Sequence, residues 1–274
     1  MLIGVALLSC REDSNRGAVE SELAVRVVSL APSITETVFS LGAEDVLVAV
    51  TSRCDRPAAA REKPSVGDVT QISLERIAAL EPDLVLVNSV THVEMLKPLA
   101  SRIDVKFVPT DTVAQMLDGI TAVGAAVGQE DAARELRATL ETRLEERRAI
   151  APATSPARVL FVVQRDPFFV AGPGSYVDEL LAALGYENAA RGLGSAWPSI
   201  SAEALLELAP DVLVDAAIGD ENEDPRDYWR RFESLPAVRN GRVRRMESDA
   251  VVRPGPGLVE ALDALAASIG TEAP

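Results

Sequence analysis

A stretch of fifteen residues occurs twice in the chain, 128 positions apart, and everything else must be compatible with that duplication. Ser73-Leu74-Glu75-Arg76-Ile77-Ala78-Ala79-Leu80-Glu81-Pro82-Asp83-Leu84-Val85-Leu86-Val87 returns as Ser201-Ala202-Glu203-Ala204-Leu205-Leu206-Glu207-Leu208-Ala209-Pro210-Asp211-Val212-Leu213-Val214-Asp215. Each copy places a Ser at a helix N-cap and a Glu in the first turn, where the helix dipole favours an anion. About two turns of helix follow in each. A Pro-Asp then ends the helix and opens a branched apolar run that reads as a buried strand. A solenoid repeats every ~20–50 residues, so one recurrence at this distance predicts two similar lobes, each with the same helix–strand unit.

The remaining elements fit that frame. Arg26 to Leu30 reads as a strand, and Ser33 with Glu36 has the spacing of a capping box for a helix that stops at Gly42. Val46 to Val50 is a second strand, followed by a Pro- and charge-rich loop to Val69. After the repeat unit come a helix from about His92 to Arg102 and a strand from Val105 to Val108. Strands alternating with helices imply a parallel sheet covered on both faces. From Val113 the pattern is helical only. Its second helix, Glu130 to Ile150, has acids at its start, Arg147-Arg148 at its end, and an apolar stripe of Ala133, Leu136, Leu140 and Leu144. At about 1.5 Å per residue it is a strut of about 30 Å. Strands and helices then resume from Arg158, ending in a helix from Leu258 to Ile269. The expected organisation is an N-terminal segment over 1–24, an α/β lobe over 25–111, a helical connector over 112–151, and a second α/β lobe over 152–274.

Charge narrows the functional classes. The 274 residues carry 42 acidic against 27 basic side chains, a net charge of −15, which disfavours nucleic acid and anionic membrane surfaces as partners. Leu7-Leu8-Ser9-Cys10 resembles a bacterial lipobox, in which the Cys is acylated, and the polar run from Arg11 to Glu22 is a suitable tether. No basic residue precedes it, and the apolar stretch falls short of the about 20 residues needed to span a bilayer. Cys10 and Cys54 cannot build a disulfide framework, and Cys54 on its own reads as a small buried apolar residue.

Taken together, Val28-Ser29-Leu30-Ala31-Pro32-Ser33-Ile34-Thr35-Glu36, Cys54-Asp55-Arg56-Pro57, the first repeat unit, and Trp197-Pro198-Ser199-Ile200-Ser201-Ala202-Glu203 resemble the cobalamin- and iron-chelate-binding proteins of bacterial ABC importers, in order and from about Arg26 to Ile269. The resemblance implies the class III binding-protein plan, two Rossmann-like α/β lobes joined by one long backbone helix, with the ligand in the cleft between them. It implies a lipid-anchored extracytoplasmic monomer without cofactor that delivers a cobalamin-type corrinoid, or alternatively a ferric siderophore or haem, to an ABC permease and its ATPase. It gives Glu75 and Glu203 the role of docking to permease arginines, although the dipole alone would also favour a Glu at each place.

Ligands of open α/β sheets lie beyond the carboxyl ends of the strands. Those loops hold Ser33, Arg53, Cys54, Asp55, Asp68, Ser89, His92, Arg165, Phe168, Phe169, Trp197, Asp249 and Arg253. Phe168 and Trp197 match positions where cobalamin binders carry aromatics, and core packing is the other reading of both. Arg53, Arg56 and Asp68 stand where those binders carry aromatics or another bulky ring. That leaves Arg53, Arg165 and Arg253 for an anionic chelate.

Other classes fit poorly. The chain has a single histidine, His92, which excludes a multi-His zinc site; a lone His on a loop is usually a surface or hydrogen-bonding residue, and contact with a chelated iron or cobalt is the lesser reading. No Gly-x-Ser-x-Gly elbow, phosphate-binding Gly-x-x-x-x-Gly-Lys loop or Gly-x-Gly-x-x-Gly turn is present, so no enzyme is expected. A carrier mechanism with a small closing motion about the stiff helix remains.

Overall fold

The two copies of the repeat adopt the same local structure down to its least favourable residue. The computed structural model describes residues 25–149, 157–217, 224–246 and 249–270, so Cys10 and the tether lie outside the described residues. Ser73 accepts a hydrogen bond from the Arg76 amide, and Ser201 accepts one from the Ala204 amide, so both are N-caps. Before each Pro the chain turns through a left-handed residue that is not glycine, Glu81 at φ 44° and Ala209 at φ 41°. Each following Asp anchors the sheet's central strand: Asp83 accepts from the Arg26 amide at 2.8 Å, Asp211 from the Arg158 amide at 2.9 Å. The arginine side chains add a second tie, Arg26 to the carbonyls of Leu80 and Glu81, and Arg158 to that of Ala209. A guanidinium on the last carbonyls of a helix is favoured by the dipole.

The first half runs β1 (Val27–Ser29), α1 (Pro32–Ser40), β2 (Leu47–Val50), α2 (Leu74–Ala79), β3 (Leu84–Val87), α3 (Val90–Leu96) and β4 (Asp104–Phe107). Its strands form one parallel sheet in the order β2-β1-β3-β4. Two helices follow, α4 (Val113–Ala126) and the 20-residue α5 (Glu130–Ala149). The second half runs β5 (Arg158–Arg165), β6 (Phe168–Val170), α6 (Tyr176–Ala183), β7 (Glu187–Asn188), β8 (Ser199–Ile200), α7 (Ala202–Leu208), β9 (Val212–Asp215), α8 (Pro225–Trp229), α9 (Pro236–Arg239), β10 (Val243–Arg245) and α10 (Leu258–Gly270). Its sheet has the order β10-β9-β5-β6-β8, with β7 also on β5. There are thus two sheets, as the duplication requires.

Three readings of the sequence change. Ser33 and Glu36 do not form a capping box: the helix begins two residues earlier, with Pro32 at its first position and Ala31 as a cap without a side-chain bond. Proline's fixed φ suits that position. The helix expected to run to Arg102 ends at Leu96, because Pro98 lacks the amide that an α-helix needs, and Lys97–Leu99 is a 3₁₀ turn. Finally, β6 and β8 are antiparallel to their neighbours, an addition to the parallel pattern.

Alternating strand residues sort into separate apolar clusters. In the first sheet Val28, Val85 and Val87 face a cluster private to that half, and in the second Leu160, Val162 and Leu213 face another. Their neighbours Val27 and Leu86, and Val159, Phe161, Val212 and Val214, all belong to one cluster that reaches from sheet to sheet through α4, α5, α6 and α10. The halves therefore share an interior, with Ala133, Leu140 and Leu144 of α5 inside it.

Gly124 sets how closely α4 and α5 approach. A Cβ built there would lie 2.3 Å from the Ala133 Cβ and 2.9 Å from the Gln129 carbonyl oxygen. Gly124→Ala should therefore lower stability by about 1–3 kcal/mol despite alanine's better helix propensity. A urea titration showing equal or greater stability would mean that the helix pair yields freely.

Candidate functional site

The carboxyl ends of both sheets open onto one cleft of 1090 Å³. From the first half it is lined by Leu30, Ala31 and Pro32 after β1, by Arg53, Asp55 and Val69 beyond β2, and by Asn88, Ser89 and His92 beyond β3. From the second half come Arg165 at the end of β5, Asp215, Ala216 and Ala217 at the end of β9, and Arg245 and Met246 at the end of β10. Pro225, Asp249, Val252 and Arg253 complete it. Of the residues expected here, the structure brings Arg53, Asp55, Ser89, His92, Arg165, Asp249 and Arg253 to this wall.

Others it places elsewhere. Phe168 is 8% exposed and lies beneath the sheet, its ring stacked 5.6 Å from Trp229 and edge-on to Phe232. The expectation of a ligand platform there is corrected: the β5–β6 hairpin turns that side chain into the private core of the second half. Phe169, which pairs with Ser199 across β6 and β8, is likewise absent from the cleft lining. Trp197 is half-buried against the shared cluster, 5.3 Å from the Tyr176 ring. Cys54 is 3% exposed, with its thiol 3.2 Å from the Thr51 hydroxyl, and fits the small buried residue read from the sequence. Ser33 is buried within α1 and its hydroxyl has no hydrogen-bond partner among the described residues. Asp68 stands behind the wall, bonded to the Thr70 amide and to Arg53, and these contacts hold its carboxyl below the usual range.

Three guanidiniums of the cleft wall, those of Arg53, Arg165 and Arg253, are paired with carboxylates. Arg53 reaches Asp68 at 3.2 Å from an exposed position, where solvent screens the pair. Arg165 donates to Asp215 at 2.9 Å and lies 4.4 Å over the Tyr228 ring. Asp215 is 3% exposed and also accepts from the Trp229 indole at 2.5 Å and from the Ala217 amide at 3.0 Å, so the ion is satisfied where it is buried. Arg253 meets Asp55 at 2.7 Å, Asp249 at 2.8 Å and Glu36 at 3.2 Å. Burial raises the pKa of Glu36, partly opposed by Arg253; at Asp55 burial also pushes upward but the bond and charge of Arg253 outweigh it and the net shift is downward.

His92 sits on α3 and is 4% exposed, so it is not the loop residue read from the sequence. Its Nε2 lies 2.6 Å from the Val69 carbonyl, which can only accept, so that nitrogen donates, and Nδ1 is buried with no partner among the described residues. No cluster of three or more His, Cys, Asp or Glu suited to a metal ion occurs among the described residues.

Asn88, Asp215 and Arg245 were missed. A usable signal existed for Asp215, a charged residue closing the apolar run of the second repeat, where the first repeat has Val87.

Glu75 and Glu203 both stand exposed in the first turns of α2 and α7. Their carboxyls are held below the ordinary range, Glu75 chiefly by its own backbone amide and Ser73, Glu203 chiefly by Ser201. No helix among the described residues is long and apolar enough to cross a membrane.

Comparison with known proteins gives a consistent family. The chain is 28% identical over 267 residues to the ABC transporter substrate-binding lipoprotein YvrC of Bacillus subtilis, covering 93% of this chain and 83% of that one. It is 27% identical over 244 residues to the vitamin B12-binding protein of Vibrio parahaemolyticus, with 86% of each covered. Among solved structures, the periplasmic haem-binding protein RhuT of Roseiflexus superimposes with a TM-score of 0.75 at 26% identity, over 90% of this chain and 98% of that one. The family model described as periplasmic binding protein matches residues 27–250, and the chain, with its two α/β halves and the cleft between them, belongs to that family.

Proposed function

We propose that the protein is the substrate-binding component of an ABC importer and that it captures a cobalamin-type corrinoid in the cleft between its halves. The observation that carries this reading is the cleft's combination of size and charge balance. At 1090 Å³ it lies just above the roughly 300–1,000 Å³ range of small-molecule sites, which suits a macrocycle with bulky side groups. Four arginines and three aspartates line it, and Arg53, Arg165 and Arg253 are each bonded to a carboxylate. Such a wall offers many donors and acceptors with little net charge, as the amide-rich rim of a corrinoid requires.

A ferric siderophore or haem is the second reading, favoured by the same arginines should their carboxylate partners give way to an anionic ligand. Against flat stacking of a porphyrin, no phenyl, phenol or indole ring lines the cleft among the described residues. Loaded protein would then dock on its permease through Glu75 and Glu203, outside the cytoplasm and anchored through Cys10.

Titration calorimetry with cyanocobalamin, haemin and a ferric catecholate separates these readings. Saturable one-to-one binding of cyanocobalamin, at least about tenfold tighter than the other two, is the expected result. Preference for either iron compound would replace the corrinoid reading, and binding of none of the three would remove both.

A further inference from the structure

We propose that Arg253 is a positioning residue that clasps the two halves together and fixes the width of the cleft. The guanidinium belongs to the second half, in the segment after the 3₁₀ turn Asp249–Val252. Two of its carboxylate partners, Glu36 on α1 and Asp55 beyond β2, belong to the first half, while Asp249 belongs to its own. Arg56 makes the reciprocal bond, reaching from the first half to Asp249 and, at 3.9 Å, to Glu260 on α10. These ion pairs cross between halves at one place.

The site is suited to holding a register. The Arg253 and Glu36 side chains are only 16% and 14% exposed, so their attraction is weakly screened by salt. Burial is the largest single influence on Arg253 and lowers its proton affinity, yet its carboxylate partners together outweigh it and the net shift is upward. At the same spot the backbones meet closely: a Cβ on Gly255 would lie 3.1 Å from the Ser33 Cβ and 3.2 Å from its carbonyl oxygen. Elsewhere, beside a backbone bond from the Tyr176 amide to the Asp111 carbonyl, the halves meet mainly through the shared apolar cluster, whose attraction is non-directional and permits sliding. A planar guanidinium with three carboxylates does not.

Asp55, Asp249 and Arg253 line the cleft, whereas Glu36, Arg56 and Glu260 do not. Cleft width is thus governed partly by groups that no ligand touches. The consequence for ligand release rests on the carrier reading above; the clasp itself does not.

Pulsed electron–electron resonance between nitroxides at Glu75→Cys and Glu203→Cys, in the full unliganded chain carrying Cys10→Ser, reads the distance between halves directly. Arg253→Met should broaden that distribution about twofold, and Arg56→Glu should broaden it in the same direction by turning a cross-half attraction into repulsion. Arg56 is a surface residue, so its variant remains informative even where Arg253→Met fails to fold. Where cyanocobalamin binds, its dissociation from either variant should be about tenfold faster. An unchanged distribution in Arg56→Glu overturns the clasp. A broadened distribution in a protein that binds no cyanocobalamin supports the clasp and overturns only the corrinoid reading.

Discussion

Trp229→Ala should cost the protein about 3–5 kcal/mol, enough to remove much of its stability at room temperature. The indole is fully buried and sits at the centre of an aromatic group, 5.6 Å from Phe168, 5.6 Å from Phe232 and 5.3 Å from Tyr228. Truncation would leave a large cavity beneath the second sheet. It would also strip Asp215 of the indole donor at 2.5 Å, leaving a buried carboxylate dependent on Arg165 and one amide. Trp229→Phe separates the two effects: it keeps most of the packing and loses the hydrogen bond, so a smaller loss of about 1–3 kcal/mol is expected. Because Asp215 also holds Arg165 at the cleft wall, both variants should weaken ligand binding as well. Urea unfolding of the three proteins measures this, and a Trp229→Ala protein as stable as Trp229→Phe would show that the cavity refills.

Reversing Glu75 and Glu203 to arginine should abolish uptake while leaving ligand affinity intact. Both carboxylates are exposed at helix starts, one in each half, and neither lies in the cleft lining. Losing the favourable dipole interaction at each helix start, which is screened at so exposed a position, leaves the fold in place. Two arginines would instead face the basic residues expected on the permease, and like charges across an interface cost several kcal/mol. Uptake of labelled ligand in cells, paired with calorimetry on the purified double variant, separates docking from binding. Normal uptake by Glu75→Arg/Glu203→Arg would remove the docking role, and a single reversal should show a partial loss.

The duplicated unit was readable because its signals are local. Ser73 and Ser201 act within one helical turn, and Pro-Asp followed by an apolar run needs no distant partner to be recognised. The strut was readable for the same reason: acids, arginines and an apolar stripe are written along Glu130–Ala149 itself. The cleft was legible only in part. The strand-end rule brought Arg53, Ser89, His92, Arg165, Asp249 and Arg253 forward, but the direction of a side chain depends on what packs behind it. Phe168 illustrates this: adjacent to a strand end, it is turned inward by a hairpin whose other side carries Trp229, sixty-one positions further along the chain. Glu36 is the converse case. Its spacing from Ser33 suggested a cap, whereas its partner Arg253 is 217 positions away, beyond any local pattern.

The apolar cluster shared by both sheets bears on how such a molecule can be divided. A gene fragment encoding either sheet with its own helices would expose the side of that sheet which the other half normally covers, including Val27 and Leu86 in one case and Phe161 and Val214 in the other. Each fragment would be a sticky, half-dressed polypeptide in search of its counterpart. The two pieces would be expected to hold their shape only when recombined, each serving as the missing wall of the other.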